Sequence, residues 1–425
     1  MFKKTTLENG LRIITAPMKG TNTITVLILC GTGSDHESRD LRGISHFLEH
    51  MFFKGTVNRP RAIQIAEELD GIGSVYNAFT SHEITGYFVK AEKAHLAKSL
   101  DVLSDIYKYS LLAAEEIERE KQVVIEELHR DLDTPENHIW WIWERLLYKD
   151  QPAGWDTIGI EETIRSFTRE QFVNYFEHQY TSANTAVVVA GNFDEATIGD
   201  DIRKRFADIR SGDPIREKPD VREEQSSPGV YLEHKKTDQT HLVLGFRGYS
   251  GLHESKYAAE VLGAILGSGM SSRMFVRIRE RLGLAYTVMS AHESYSNRGF
   301  LVTYAGVDHK NVEKTIRAVL EEYTRIRDEG VSANELRRVK DQIRGRTSIA
   351  LEASNTVANF VGQEEMVTGR PLTIDEVFDK IEAVTPEDIL RVAQEIIAPG
   401  RLNLALIGPF EDRAPFEKLL AEFQQ

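Results

Sequence analysis

Apolar and polar positions follow two different periods along this chain. In the first half, the runs GLRIIT (residues 10–15), TITVLIL (23–29), ITGYFVKA (84–91) and TAVVVAG (185–191) are short and rich in β-branched residues, and each predicts a strand. Between them, segments such as SLDVLSDIYKYSLL (99–112) repeat their apolar residues every three to four positions, the period of an amphipathic helix. Strands and long helices interleaved in this way predict α+β layers, with mostly antiparallel sheets packed against helices.

The pattern occurs twice. The helix-like FTREQFVNYFEHQY followed by TAVVVAGNFD is echoed by VTPEDILRVAQEII followed by LNLALIGPF, so that Thr168 pairs with Thr385 and Gly191 with Gly408 at a constant offset (385 − 168 = 217). A His-Glu-Ser triplet at His36 and again at His253 keeps the same offset, each time just after an apolar run, TITVLILCGTG or THLVLGFRGYS. Internal duplication is the economical explanation. It predicts two homologous domains, residues 1–212 and 229–425, joined by an exposed linker at 213–228 that is rich in charge, Pro and Ser.

RDLRGISHFLEHMFFKGT (39–56) reads as one helix, with Asp40 as N-cap and Lys54 with Gly55 as its basic last turn and C-cap. On that helix His46 and His50 stand one turn apart on one face, with Glu49 beside them, a spacing that lets both imidazoles reach one Zn²⁺. A catalytic zinc needs a third protein ligand, and the Glu-rich helix EEIEREKQVVIEELHRDL offers Glu120, Glu126 and Glu127, among which spacing alone does not choose. HFLEH is itself an inverted zinc-peptidase motif.

Composition narrows the classes. At 425 residues, 41% hydrophobic and 28% charged, the chain is an ordinary globular protein, and its net charge of −14 argues against nucleic acid as a partner. Cys30 is the sole cysteine, which rules out an intrachain disulfide, and it sits in an apolar run as a small buried residue. The sequence carries no export signal and no apolar run of membrane-spanning length, so the expectation is a cytoplasmic protein with no membrane partner.

The ordered series NGLRII, GISHFLEHMFFKGT, YNAFTSHEITGYF, EREKQVVIEELHRDLDTPEN, GMSSRMFVRIRERLGLAYTVMS and VTPEDILRVA resembles the pitrilysin/insulinase family of metallopeptidases. Its short two-domain members, similar to the mitochondrial processing peptidases and their bacterial counterparts, match over essentially the full chain. The resemblance implies one Zn²⁺ per chain on His46, His50 and Glu127, which lies at the family's spacing beyond the second histidine (127 − 50 = 77). Glu120 is then a supporting residue behind the ligands, and Glu49 the general base.

The family also holds its substrate carbonyl with an Arg and a Tyr seven apart, here Arg279 and Tyr286, and takes substrate as an added strand along NAFTS, here Asn77 and Ala78. At the duplication offset His46, Glu49 and His50 face Gly263, Leu266 and Gly267, so the second domain lacks zinc ligands and is expected to complete the active site instead. The implied activity is hydrolysis of peptides or flexible presequence-like segments in a chamber. A homodimer is the simplest way to build that chamber, and a heterodimer with an inactive paralogue the other way. The competing expectation is a non-enzymatic core or assembly subunit of the same family.

Overall fold

A computed structural model describes residues 2–214 and 218–423; residues 215–217 of the expected linker lie outside the described residues. The strands are β1 (Lys3–Thr6), β2 (Arg12–Pro17), β3 (Thr23–Cys30), β4 (Val75–Thr80), β5 (Thr85–Glu92) and β6 (Thr185–Gly191), then β7 (Gly229–His234), β8 (Thr240–Gly248), β9 (Ala285–Ser294), β10 (Gly299–Val307) and β11 (Leu402–Gly408). The helices that bear on the site are α1 (Ile44–Met51), α2 (Ala114–Asp133), α3 (Pro135–Tyr148), α4 (Arg169–Gln179), α5 (Lys256–Gly267), α6 (Ser354–Thr368) and α7 (Pro386–Ile396).

The chain forms two compact units. The first comprises Met1–His129, Trp155–Pro219 and Ser348–Thr373. Its sheet runs β1-β2-β6-β3-β5-β4, antiparallel except between β2 and β6. The second unit comprises Arg130–Gly154, Asp220–Thr347 and Ile374–Gln425, with a sheet in the order β7-β11-β8-β10-β9 and one parallel pairing, β7 with β11. The central strands β3 and β6 of the first sheet and β8 and β11 of the second are almost wholly buried, which is why they read as apolar runs.

Duplication is visible in the registers. β2 and β7, β6 and β11, and α4 and α7 begin and end 217 residues apart (229 − 12 = 217). Thr168 and Thr385 both close capping boxes at their helix starts, the side chain of each accepting from the backbone three residues on. The fold class read from the sequence is therefore the observed one.

The units do not coincide with the sequence halves. α3, from the first half, covers one face of the second sheet: Ile139, Ile142, Trp143 and Leu147 pack on Val243, Phe300, Val302, Ala405 and Ile407. Its counterpart α6, from the second half, covers one face of the first sheet through Ala358 and Val361, against Ile14, Leu27, Leu29 and Val188. Gly362 permits the approach, since a Cβ there would stand 2.7 Å from Leu29 Cδ1. The division at 1–212 and 229–425 follows the chain, whereas the hydrophobic faces are satisfied by helices exchanged between the halves.

The metal-motif helix is also shorter than the pattern predicts. α1 starts at Ile44, after a 3-10 turn at Arg39–Leu41, because Gly43 takes a left-handed conformation (φ 89°) that ends the preceding turn. A Cβ on Gly43 would collide with the Ile158 carbonyl. Asp40 is therefore not the N-cap; its carboxylate accepts from the Ser38 hydroxyl at 2.6 Å.

Candidate metal centre

The side chain that ties down the start of α1 is Glu37, whose carboxylate accepts from the Gly43 and Ser45 amides at 2.7 and 2.8 Å. These amides are orphan donors at a helix start, and an anion there also meets the positive end of the helix dipole. Burial pushes the Glu37 carboxyl up to about 7, more than the two amides lower it. The Tyr175 hydroxyl bridges Ser45 and Thr32 at 2.8 Å each, and Phe47, Leu48 and Met51 are buried, so α1 is fixed on three sides. Its remaining face carries His46, Glu49 and His50.

α2 supplies the opposing groups. Glu127 Oε2 stands 3.8 Å from His46 Nε2 and 3.5 Å from His50 Nε2. One donor atom from each of these three residues fits within a span of 4.8 Å. Two donors each about 2.0 to 2.1 Å from a tetrahedral zinc lie about 3.4 Å apart, close to the separations of Glu127 from the two imidazoles. The donor set, two imidazoles and one carboxylate, is that of catalytic zinc sites with a position left for water. Glu126 points elsewhere, accepting from Gln122 on the helix surface at 2.7 Å.

Behind the ligands, Glu120 is 4% exposed and meets His50 Nδ1 through Oε1 at 3.0 Å and Lys54 Nζ through Oε2 at 2.6 Å. A carboxylate on Nδ1 orients the ring so that Nε2 faces the ion position. Burial lowers the His46 pKa to about 3, helped by the neighbouring His50, and this keeps the ring neutral and able to donate its lone pair. Burial also opposes charge on His50, but Glu120, Glu49 and Glu127 outweigh it and raise its pKa. Burial and Glu127 raise the Glu49 carboxyl, while the Thr80 hydroxyl, donating to its Oε2 at 2.6 Å, restrains that rise.

Asn77 and Ala78 lie on β4, the edge strand of the first sheet, where the Asn77 side chain accepts from the Ala78 amide at 2.9 Å. In the second unit, Arg279 stands in a π-helical turn at Phe275–Arg281 and donates to the Tyr286 carbonyl at 2.7 Å. Its guanidinium stacks over the Tyr286 ring at 4.8 Å and the Phe275 ring at 5.0 Å, and Tyr286 is 74% exposed. At the positions 217 residues beyond His46 and His50, Gly263 and Gly267 lie against β9, where a Cβ would strike the backbone of His292 or Ser290. The space that imidazoles occupy in the first unit is filled by a strand in the second.

Sequence reasoning missed Glu37 and Thr80 and gave Lys54 only a helix-ending role. Thr80 could have been found from strand alternation, being two residues beyond Ala78 on the same face. Lys54 continues the four-residue spacing of His46 and His50. Burial pushes the Cys30 thiol up to about 12, consistent with an inert core residue. No helix among the described residues is long and apolar enough to cross a membrane.

Comparison with known families and structures gives a consistent picture. The family described as Insulinase (Peptidase family M16) matches residues 12–154, and the Peptidase M16 inactive domain matches residues 166–343. A Bacillus subtilis protein described as the uncharacterized zinc protease YmxG is 35% identical over 411 residues, 96% of this chain and 98% of its own. An uncharacterized zinc protease of Rickettsia felis is 35% identical over 409 residues, 96% of this chain and 98% of its own. Among solved structures, a protease from Helicobacter pylori superposes with a TM-score of 0.89 at 25% identity, covering 96% of this chain and 99% of that one. A chain of Complex III2 from Candida albicans gives 0.85 at 19% identity, covering 99% of each, a likeness of fold alone.

Proposed function

The chain belongs to the M16 (pitrilysin/insulinase) family of peptidases, and from that premise we propose that it is a zinc metalloendopeptidase acting on peptides or flexible presequence-like segments. The observation that carries this reading is the convergence of His46, His50 and Glu127 with the Glu49 carboxyl one helical position before His50. Those three residues would hold one Zn²⁺, which would supply Lewis acidity and lower the pKa of a bound water toward about 7.

Glu49 is the group in this chain suited to take that proton. Burial raises its pKa above the ordinary carboxylate value, which makes it a stronger base than an exposed carboxylate, and Thr80 fixes its second oxygen, leaving the first for the water. The same carboxylic acid then returns the proton to the leaving amine. Main-chain groups of β4 around Asn77 and Ala78 are proposed to hold the substrate backbone as an added strand. Arg279 and Tyr286 are proposed to hold its carbonyl and the developing oxyanion. A second copy of the chain is the proposed partner, to be tested by sedimentation.

The test is a zinc titration alongside cleavage of a fluorogenic peptide library, for wild type and Glu49→Gln. Zinc bound by both with cleavage by wild type alone is the expected result. A wild type that binds no zinc and cleaves nothing moves the reading to the non-enzymatic assembly subunit.

A further inference from the structure

Lys54 lies just past the end of α1, yet the turn keeps it in line with the helix. The Phe53 amide donates to the His50 carbonyl at 3.2 Å and the Lys54 amide to the Met51 carbonyl at 3.1 Å. Gly55 (φ 132°) then turns the chain away where a Cβ would stand 2.6 Å from the Pro60 carbonyl oxygen. His46, His50 and Lys54 therefore form a stripe at four-residue spacing. It meets the stripe of Glu127 and Glu120, two turns apart on α2, in alternation: Glu127 between His46 and His50, Glu120 between His50 and Lys54.

From this alternation we infer that Lys54 is a positioning residue for the metal centre, acting through Glu120 to hold His50 in its metal-binding orientation and to balance the charge of the loaded site. The inference rests on the zinc reading above. Glu120 is a buried carboxylate with two oxygens: one is committed to His50 Nδ1, and the ammonium of Lys54 fixes the other. Without that ammonium, Glu120 can swing about its side-chain torsions, and the His50 ring loses the rigid acceptor that aims its Nε2. The charges close as well. Glu49, Glu120 and Glu127 bring three negative charges when ionised, which one divalent ion and one ammonium neutralise. In a largely buried site an unbalanced carboxylate is costly.

Lys54 is itself partly exposed, and its ammonium is the polar end of a flexible stem, so its replacement leaves the apolar packing of α1 in place. The experiment is a zinc titration against a competing chelator for the full chain as wild type, Lys54→Met, Lys54→Arg, Glu120→Gln and the Lys54→Met/Glu120→Gln double variant. The absorption spectrum of the Co²⁺-substituted protein follows ligand geometry in each. Lys54→Met should weaken zinc binding about 10- to 100-fold, as loss of an outer partner of a metal ligand does. It should also alter the Co²⁺ spectrum, while Lys54→Arg stays near wild type.

In the Glu120→Gln background, Lys54→Met should cost little more, because Lys54 acts through Glu120. If Lys54→Met does not fold, Lys54→Gln, which keeps a donor but not the charge, takes its place. Zinc affinity unchanged in Lys54→Met, or a loss that is undiminished when Glu120 is Gln, overturns the inference and leaves the zinc reading standing. A wild type that binds no added zinc sinks both.

Discussion

The Thr80 hydroxyl donates to Glu49 Oε2 at 2.6 Å, tying the last residue of the edge strand β4 to the carboxyl proposed as the base. A hydrogen bond to a charged group contributes about 1.5 to 3 kcal/mol, and this one favours the ionised form of Glu49. Thr80→Val should raise the Glu49 pKa further, moving the acid limb of the kcat/KM profile to higher pH while zinc content is unchanged. An acid limb that stays in place would separate Thr80 from the chemistry.

Glu37 gives a pH dependence of stability with a definite sign. Its folded pKa, about 7, is above the ordinary value of 4.5, so the folded state holds the proton more tightly than the unfolded chain. Stability from this group is therefore lost as pH rises from about 4.5 to about 7. Chemical denaturation at pH 5 and pH 8 should show wild type losing about 2 to 3 kcal/mol more over that interval than Glu37→Gln, which cannot titrate. Equal losses in the two proteins would contradict this assignment.

Gly267 lies against Ser290 in the second unit with no room for a side chain. Gly267→Ala should destabilise that unit by about 1 to 3 kcal/mol through overpacking while leaving zinc binding intact. The midpoint of denaturant unfolding and the zinc content, measured on the same preparation, report the two effects separately. A neutral substitution would mean that β9 can yield.

The helix exchange predicts how fragments behave. Residues 1–212 alone lack α6, which covers Leu27, Leu29 and Val188, and carry α3 without the sheet it packs on. Such a fragment should bind a hydrophobic dye and lack near-ultraviolet dichroism, the signs of a loosely packed state. A peptide spanning residues 348–373 should restore part of the packing. A fragment 1–212 that unfolds cooperatively by itself would refute the dependence on α6.

The sequence by itself determined what local geometry controls. An i, i+4 pair on a helix shares a face wherever that helix sits, so His46 and His50 could be paired from spacing. The capping boxes at Thr168 and Thr385 and the repeated apolar runs likewise fixed helix starts, strands and the duplication, because each is written within one or two turns of chain. Tertiary structure decided what depends on residues distant in sequence. Seven residues apart, Glu120 and Glu127 share a face of α2, but spacing did not say which carboxylate meets the ion; only the packing of α2 against α1 turned Glu127 to both Nε2 atoms and Glu120 to Nδ1 of His50, leaving Glu126 on the surface. The left-handed Gly43 that shortened α1, the cap drawn from Glu37 and the exchange of α3 and α6 have the same origin. An amphipathic pattern states that a face must be buried, and the choice of partner belongs to the assembled core.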